Sequence, residues 1–106
     1  MKIFRLENMT RGWFVGNFEP TAYKTESCEV AVKKYKAGDK EESHYHNHST
    51  EITVILSGKI KMNGTIYTDG CIIVIAPKEQ TDFVSLSDSI TVVYKSISIK
   101  NDKYTH

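Results

Sequence analysis

The chain has 106 residues, 40% of them hydrophobic and 25% charged, the composition of an ordinary globular domain with room for one core. Fourteen Lys and Arg against thirteen Asp and Glu leave a net charge of +1, which excludes the electrostatic footprint of a nucleic-acid binder or of a protein held on an anionic membrane. No apolar run approaches the ~20 residues of a membrane span and the N-terminus lacks a signal-peptide pattern, so the expectation is a cytoplasmic, single-domain protein. Two cysteines, Cys28 and Cys71, make neither a disulfide framework nor a thiolate zinc site, and both read as small buried hydrophobes.

The predicted elements are strands. Residues 3–6 form a short apolar run. Trp13, Phe14, Val15 and Phe18 make an aromatic-rich run bounded by Gly12 and Pro20, read as core packing or as a cap on a barrel or dimer interface. Residues 29–36 alternate loosely, and residues 38–42 read as a solvated loop. A short run follows at 43–46, then a β-branched one at 51–56. Asn63-Gly64 joins 59–62 to 65–67 as a hairpin, because both turn positions tolerate positive φ. The continuous apolar run 71–75 predicts a strand buried on both faces, ended by Pro77. Residues 83–86 and 90–99 supply the last strands. With no long helical period and nine or ten short strands between turn signals, the pattern predicts an all-β sandwich or barrel.

Three of the four histidines, His44, His46 and His48, fall within five residues, and the fourth, His106, ends the chain and is expected to fray. Residues two apart on a strand share a face, so His44 and His46 project together and Tyr45 points the other way. Glu51 opens the following strand and can close a facial set of two imidazoles and one carboxylate on a divalent metal, with positions left open for water, oxygen or substrate. Such a set suits Fe, Mn, Ni or Zn without choosing among them. His48 lies in the connection and reads as a solvated loop residue, with substrate-contacting acid or base as the alternative.

Gly38, His44-x-His46, Glu51 and Gly58 stand at the spacings of the first conserved motif of the cupin family, which this sequence resembles. The resemblance implies an antiparallel jelly-roll barrel with its core at about residues 27–97, extra N-terminal edge strands, and pairing into a homodimer through such strands. The Gly-Trp-Phe stretch at 12–14 and the closing Asp102-Lys103-Tyr104 also look like small stand-alone cupins. The second cupin motif is degraded: Gly70 matches, but Ala76 stands at the proline position with Pro77 after it, Lys78 replaces a glycine, Thr81 replaces the metal-binding histidine and Ser85 the asparagine. The resemblance therefore implies metal held by His44, His46 and Glu51 alone, by these with Gln80 or Asp82 added through a bulge, or no metal in the cell. It also implies an enzyme with isomerase, lyase or dioxygenase chemistry on a sugar derivative or a hydroxy- or keto-acid, with His48, Asp82 and Tyr45 as candidate acid–base groups. The alternative is a non-catalytic module that binds a small molecule. Lys59, Lys61, Lys78 and Lys95 are candidates to hold an anionic group.

Overall fold

β-branched and alternating stretches form eleven strands in the computed structural model, which describes residues 1–100 and 102–105. His106 lies outside the described residues. The strands are β1 (Trp13–Gly16), β2 (Tyr23–Lys24), β3 (Glu29–Tyr35), β4 (Lys40–His46), β5 (Glu51–Ser57), β6 (Lys59–Met62), β7 (Thr65–Thr68), β8 (Ile72–Ile75), β9 (Thr81–Ser85), β10 (Ser89–Lys95) and β11 (Lys103–Thr105). They build two sheets, β2-β1-β3-β10-β5-β8 and β11-β4-β9-β6-β7. Every ladder is antiparallel except β1 with β2. β1 and β2 extend one edge of the six-stranded sheet, as expected of the N-terminal segment.

The two sheets face each other over inward side chains that divide into two regions. Ile55, Ile60, Met62, Ile75 and Phe83 form the apolar core, with Tyr35, Tyr67, Cys71 and Ile73 packed against it. Large-to-small changes there are costly, because transfer energy and a cavity penalty add. The other region carries polar groups: His44 and His46 on β4, Glu51 and Thr53 on β5, Thr81 on β9 and Thr91 on β10.

Local chemistry sets the turns that hold this arrangement. Asn63 and Gly64 have φ of 49° and 82° and close the β6–β7 hairpin as anticipated. Gly58 has φ of 103°, and a Cβ there would collide with the Ser89 hydroxyl, so only glycine passes between β5 and β6.

Several expectations are corrected. Residues 3–6 form no strand; the chain instead makes short 3₁₀ turns at Leu6–Asn8 and Thr10–Gly12. The region 38–42 is not simply a loop, because β4 begins at Lys40. β8 is not buried on both faces. It is an edge strand whose Ile72 and Val74 are 66% and 61% exposed while Ile75 is buried. Cys28 and Cys71 are unpaired and only partly buried.

Candidate metal centre

His44 and His46 end β4, and Glu51 begins β5 after a four-residue connection. The connection is held by Asp102, which precedes β11. Its carboxylate accepts hydrogen bonds from the backbone N–H of His48 and of Ser49, both at 3.0 Å, and its carbonyl accepts the Asn47 N–H at 3.1 Å. The Lys78 N–H donates to the His46 carbonyl at 2.6 Å from the opposite side. Burial would raise the Asp102 pKa, but the hydrogen bonds from Ser49 and His48 outweigh it and hold the carboxyl below its usual value. Its contribution to stability is therefore present above the unfolded carboxylate range and is lost as pH falls through the depressed folded value. Replacing Asp102 with Ala is expected to cost about 2–4 kcal/mol in urea unfolding at pH 7, from two charge-assisted hydrogen bonds of ~1.5–3 kcal/mol each less relaxation. The difference from wild type should shrink in the same measurement below about pH 4.

Within this frame His44, His46 and Glu51 converge, with one ligand atom of each within 4.8 Å of the others. The His44 and His46 rings lie edge to face, 5.3 Å apart. A β-bulge shapes the approach: Glu41 pairs with Phe83 and His44 with Thr81, so Glu42 and Ser43 together oppose Asp82 alone. The bulged Glu42 turns its carbonyl to His44, whose Nδ1–H donates to it at 2.9 Å. That bond selects the tautomer and leaves the Nε2 lone pair for a ligand.

His46 is 4% exposed, and neither of its ring nitrogens has an aligned hydrogen-bond partner. Its Nε2 comes within 3.3 Å of Glu51 Oε1 without hydrogen-bond alignment. Buried imidazole nitrogens without partners are costly. A divalent ion held by His44, His46 and Glu51 satisfies both the imidazole and the carboxylate, so the donor set fits a metal. Burial raises the Glu51 pKa, but His46, Lys95 and His44 together outweigh it and keep the carboxyl below its usual value, in the ionised form a metal requires. Thr53 Oγ1 donates to Glu51 Oε2 at 3.4 Å.

The site opens into a cavity of about 1080 Å³ between the sheets, closed in part by the N-terminal segment. Cross-strand rows run Glu29–Lys95–Glu51, Ala31–Val93–Thr53 and Lys33–Thr91–Ile55, and from them Lys95, Glu51, Val93, Thr53, Lys33 and Thr91 line the cavity. Trp13 pairs with Ala31 and lies on the same wall. Tyr35 donates to Glu41 at 3.4 Å and packs its ring, tilted by 39°, against Phe83, and both Tyr35 and Glu41 line the cavity. Burial, with the Glu41 carboxylate second, pushes the Tyr35 hydroxyl far up, so it stays protonated.

The three proposed acid–base residues do not reach this cavity. His48 is exposed in the connection, as the loop reading expected. Asp82 points outward because β9 alternates, and its carboxylate accepts the Asn63 N–H at 2.6 Å. Tyr45 lies on the outer side of β4, stacked on Tyr104 at 5.3 Å. Gln80 is exposed and donates to Ser43, so neither Gln80 nor Asp82 joins the ligand set; the bulge sits on β4, not on β9. Thr81 does face the cavity, opposite His44. Of the four lysines considered, Lys95 lines the cavity and Lys59, Lys61 and Lys78 are exposed elsewhere. Sequence reasoning missed Tyr35, Glu41, Lys33, Thr53 and Thr91. Alternation along β3, β5 and β10 was a usable signal for four of them; the bulge hid Glu41.

No protein-family model and no curated protein matches the chain. Solved structures do. An uncharacterized conserved protein with a double-stranded β-helix domain from Klebsiella pneumoniae subsp. pneumoniae matches with TM-score 0.69 at 19% identity, covering 92% of this chain and 85% of that one. KdgF from Halomonas sp. matches with TM-score 0.64 at 18% identity, over 73% of this chain and 76% of the other. The DMSP lyase DddQ from Ruegeria pomeroyi DSS-3 matches with TM-score 0.71 at 16% identity, over 88% of this chain but 49% of that protein. Other matching structures are described as cupins outright. Among the described residues no helix is long and apolar enough to cross a membrane. The likeness in three dimensions agrees with the motif at Gly38–Gly58: this chain has the fold of a cupin domain, the double-stranded β-helix.

Proposed function

We propose that the protein is a metal-dependent enzyme acting on a small oxygen-rich substrate, a sugar derivative or a hydroxy- or keto-acid. The observation that carries this reading is the convergence of His44, His46 and Glu51, with His46 buried and unsatisfied, at the wall of a polar cavity. These three residues would hold a divalent metal, Fe, Mn, Ni or Zn. The metal would supply Lewis acidity toward a substrate carbonyl or hydroxyl. The Tyr35 hydroxyl and the Glu41 carboxylate are the acid–base groups best placed to donate and accept a proton, since both line the cavity and share a hydrogen bond. The resemblance to a DMSP lyase supports an enzyme without fixing the reaction. Thr81, at the position of a family ligand, favours a second reading, a module that binds a small molecule without turnover. The test is metal content after reconstitution, followed by a screen of hydroxy- and keto-acids with and without the metal. About one divalent ion per chain with metal-dependent turnover supports the enzyme; bound metal without turnover favours the binding module; no metal overturns both metal-based roles.

We further propose a homodimer. An antiparallel sheet normally keeps one face wet. Here the outer face of the six-stranded sheet is apolar across four strands: Val30, Tyr94, Ile52 and Val74 form one row, and Val32, Val92, Val54 and Ile72 the next. An exposed apolar patch of this continuity marks an association surface. An isologous two-fold contact would set this face against the same face of a second copy, the proposed occupant. The double change Ile72→Lys and Val74→Lys alters two exposed side chains and should convert a dimer to a folded monomer in light scattering. A monomeric wild type at about 100 μM, far above ordinary dimer dissociation constants, contradicts the dimer. Cys28 and Cys71, both unpaired, suit a reducing compartment such as the cytoplasm.

A further inference from the structure

The cavity carries a charge asymmetry that the chain as a whole does not. With a net charge of +1 overall, the protein sets seven basic side chains against four acidic ones along this one wall and rim. Two of the cations share a single aromatic ring: Lys33 Nζ lies 5.0 Å and Lys95 Nζ 4.8 Å from the Trp13 ring centre. Lys95 is neutralised, lying 3.7 Å from Glu29 and opposite Glu51 in the strand register. Lys33 has no ion-pair partner among the described residues. It is half-buried on the cavity wall, and burial pulls its ammonium below the usual lysine range despite the countering Glu41.

Beside Lys33 is a second unmet polar group. Thr91 pairs directly with Lys33 across β3 and β10, is 1% exposed, lines the cavity, and its Oγ1 has no hydrogen-bond partner. A half-buried cation with no direct ion pair among the described residues and a buried hydroxyl without an acceptor, side by side and walled by an indole ring, together suit an anionic oxygen. Thr91 Oγ1–H donates one hydrogen bond, Lys33 supplies charge and further donors, and Trp13 excludes water from one side.

We propose that Lys33 and Thr91 form a carboxylate subsite walled by Trp13, and that the substrate is a small hydroxy- or keto-acid anchored there by its carboxylate, with its remaining oxygens toward His44, His46 and Glu51. This deepens, and in its second part rests on, the reading of a metal-dependent enzyme. The carboxylate subsite itself does not need the metal. It selects acids over neutral sugars, because a neutral ligand leaves Lys33 desolvated and unpaired.

Trp13 is the only tryptophan, so its emission reports on this subsite directly. Metal-free protein is titrated with lactate and, separately, with its neutral amide, lactamide. The expected result is a saturable change in Trp13 emission with lactate and none with lactamide. Lys33→Met should weaken lactate at least about 10-fold, the loss of one charge-assisted contact. Thr91→Val, which keeps the side-chain shape and removes the hydroxyl, should weaken it several-fold, and the exposed Lys61→Met should not change it. Circular dichroism checks each fold; if Lys33→Met does not fold, Thr91→Val decides. An equal response to lactamide, or lactate binding unaltered in the folded variants, overturns the subsite. Metal content measured on the reconstituted protein separates the two readings: metal taken up by a protein that does not bind lactate sinks the subsite alone, and lactate binding by a protein that takes up no metal on reconstitution sinks the metalloenzyme alone.

Discussion

Replacing His46 with Ala is expected to remove divalent-metal binding while leaving the metal-free protein almost as stable as before. The asymmetry follows from the hydrogen-bond record of His46. Its imidazole is buried with neither nitrogen aligned to a partner, so in the metal-free protein its removal relieves an unsatisfied group, which offsets the loss of its 3.3 Å electrostatic contact with Glu51. The side chain borders an existing cavity, so truncation enlarges open space rather than leaving a dry void in the core. In the metal-loaded protein, wild type gains about 2.7 kcal/mol when the free ion is at 100 times its dissociation constant, and the variant gains none of this. Loss of groups that merely orient a ligand weakens metal binding by about 10–100-fold, and removal of one of three donors should exceed that range. The measurements are ion content per chain and the melting temperature with and without metal. Equal melting behaviour of wild type and variant in saturating Zn or Mn would show that His46 is not a ligand.

The converse change, Thr81→His, is expected to tighten metal binding by about 10–100-fold, in the direction set by adding a fourth protein donor to a three-donor site. Thr81 pairs with His44 across β4 and β9, and its side chain faces the cavity beside the imidazoles. An imidazole there replaces a small hydroxyl with a metal donor, and the cavity has space for it. Competition against a chelator of known affinity reads the change. A folded Thr81→His protein with unaltered affinity would show that a side chain at this position does not reach the ion. If the substrate uses the coordination position left open by Thr81, the same variant gains metal affinity and loses turnover, and that opposition would explain why a threonine serves here.

The fold was legible to the extent that two-residue alternation and turn residues governed it. Asn63-Gly64 announced its hairpin, and the motif glycine at 58 sits where only glycine fits against Ser89. The pair His44 and His46 was legible for the same reason, since a regular strand end carries both to one face. What failed was context that no window of sequence contains. The run 71–75 has the hydrophobicity of a central strand, yet β8 is an edge strand, and its outward Ile72 and Val74 lie on the exposed face of the sheet rather than in a core. The acidic stretch 40–42 has the composition of a loop, but its backbone pairs with β9. His48 and Asp82 were attractive by residue type and unavailable by direction. Asp102 drew notice only as part of a closing tripeptide, although its carboxylate holds the connection between His46 and Glu51.

The bulge at Glu42 and Ser43 acts as a change of parity within β4. Counted from His44 in steps of two, the inward positions toward the start of the strand would be Glu42 and Lys40, yet Glu41 is the residue that faces Phe83 and the cavity. One extra residue thus lets Glu41 and His44, an odd number of positions apart, face the same side of β4. Losing one of Glu42 and Ser43 would restore one-to-one pairing opposite Asp82 and keep Glu41 against Phe83, but would remove the bulge that turns the Glu42 carbonyl to His44 Nδ1. The extra residue thus governs how the His44 imidazole is held, not which carboxylate enters the cavity.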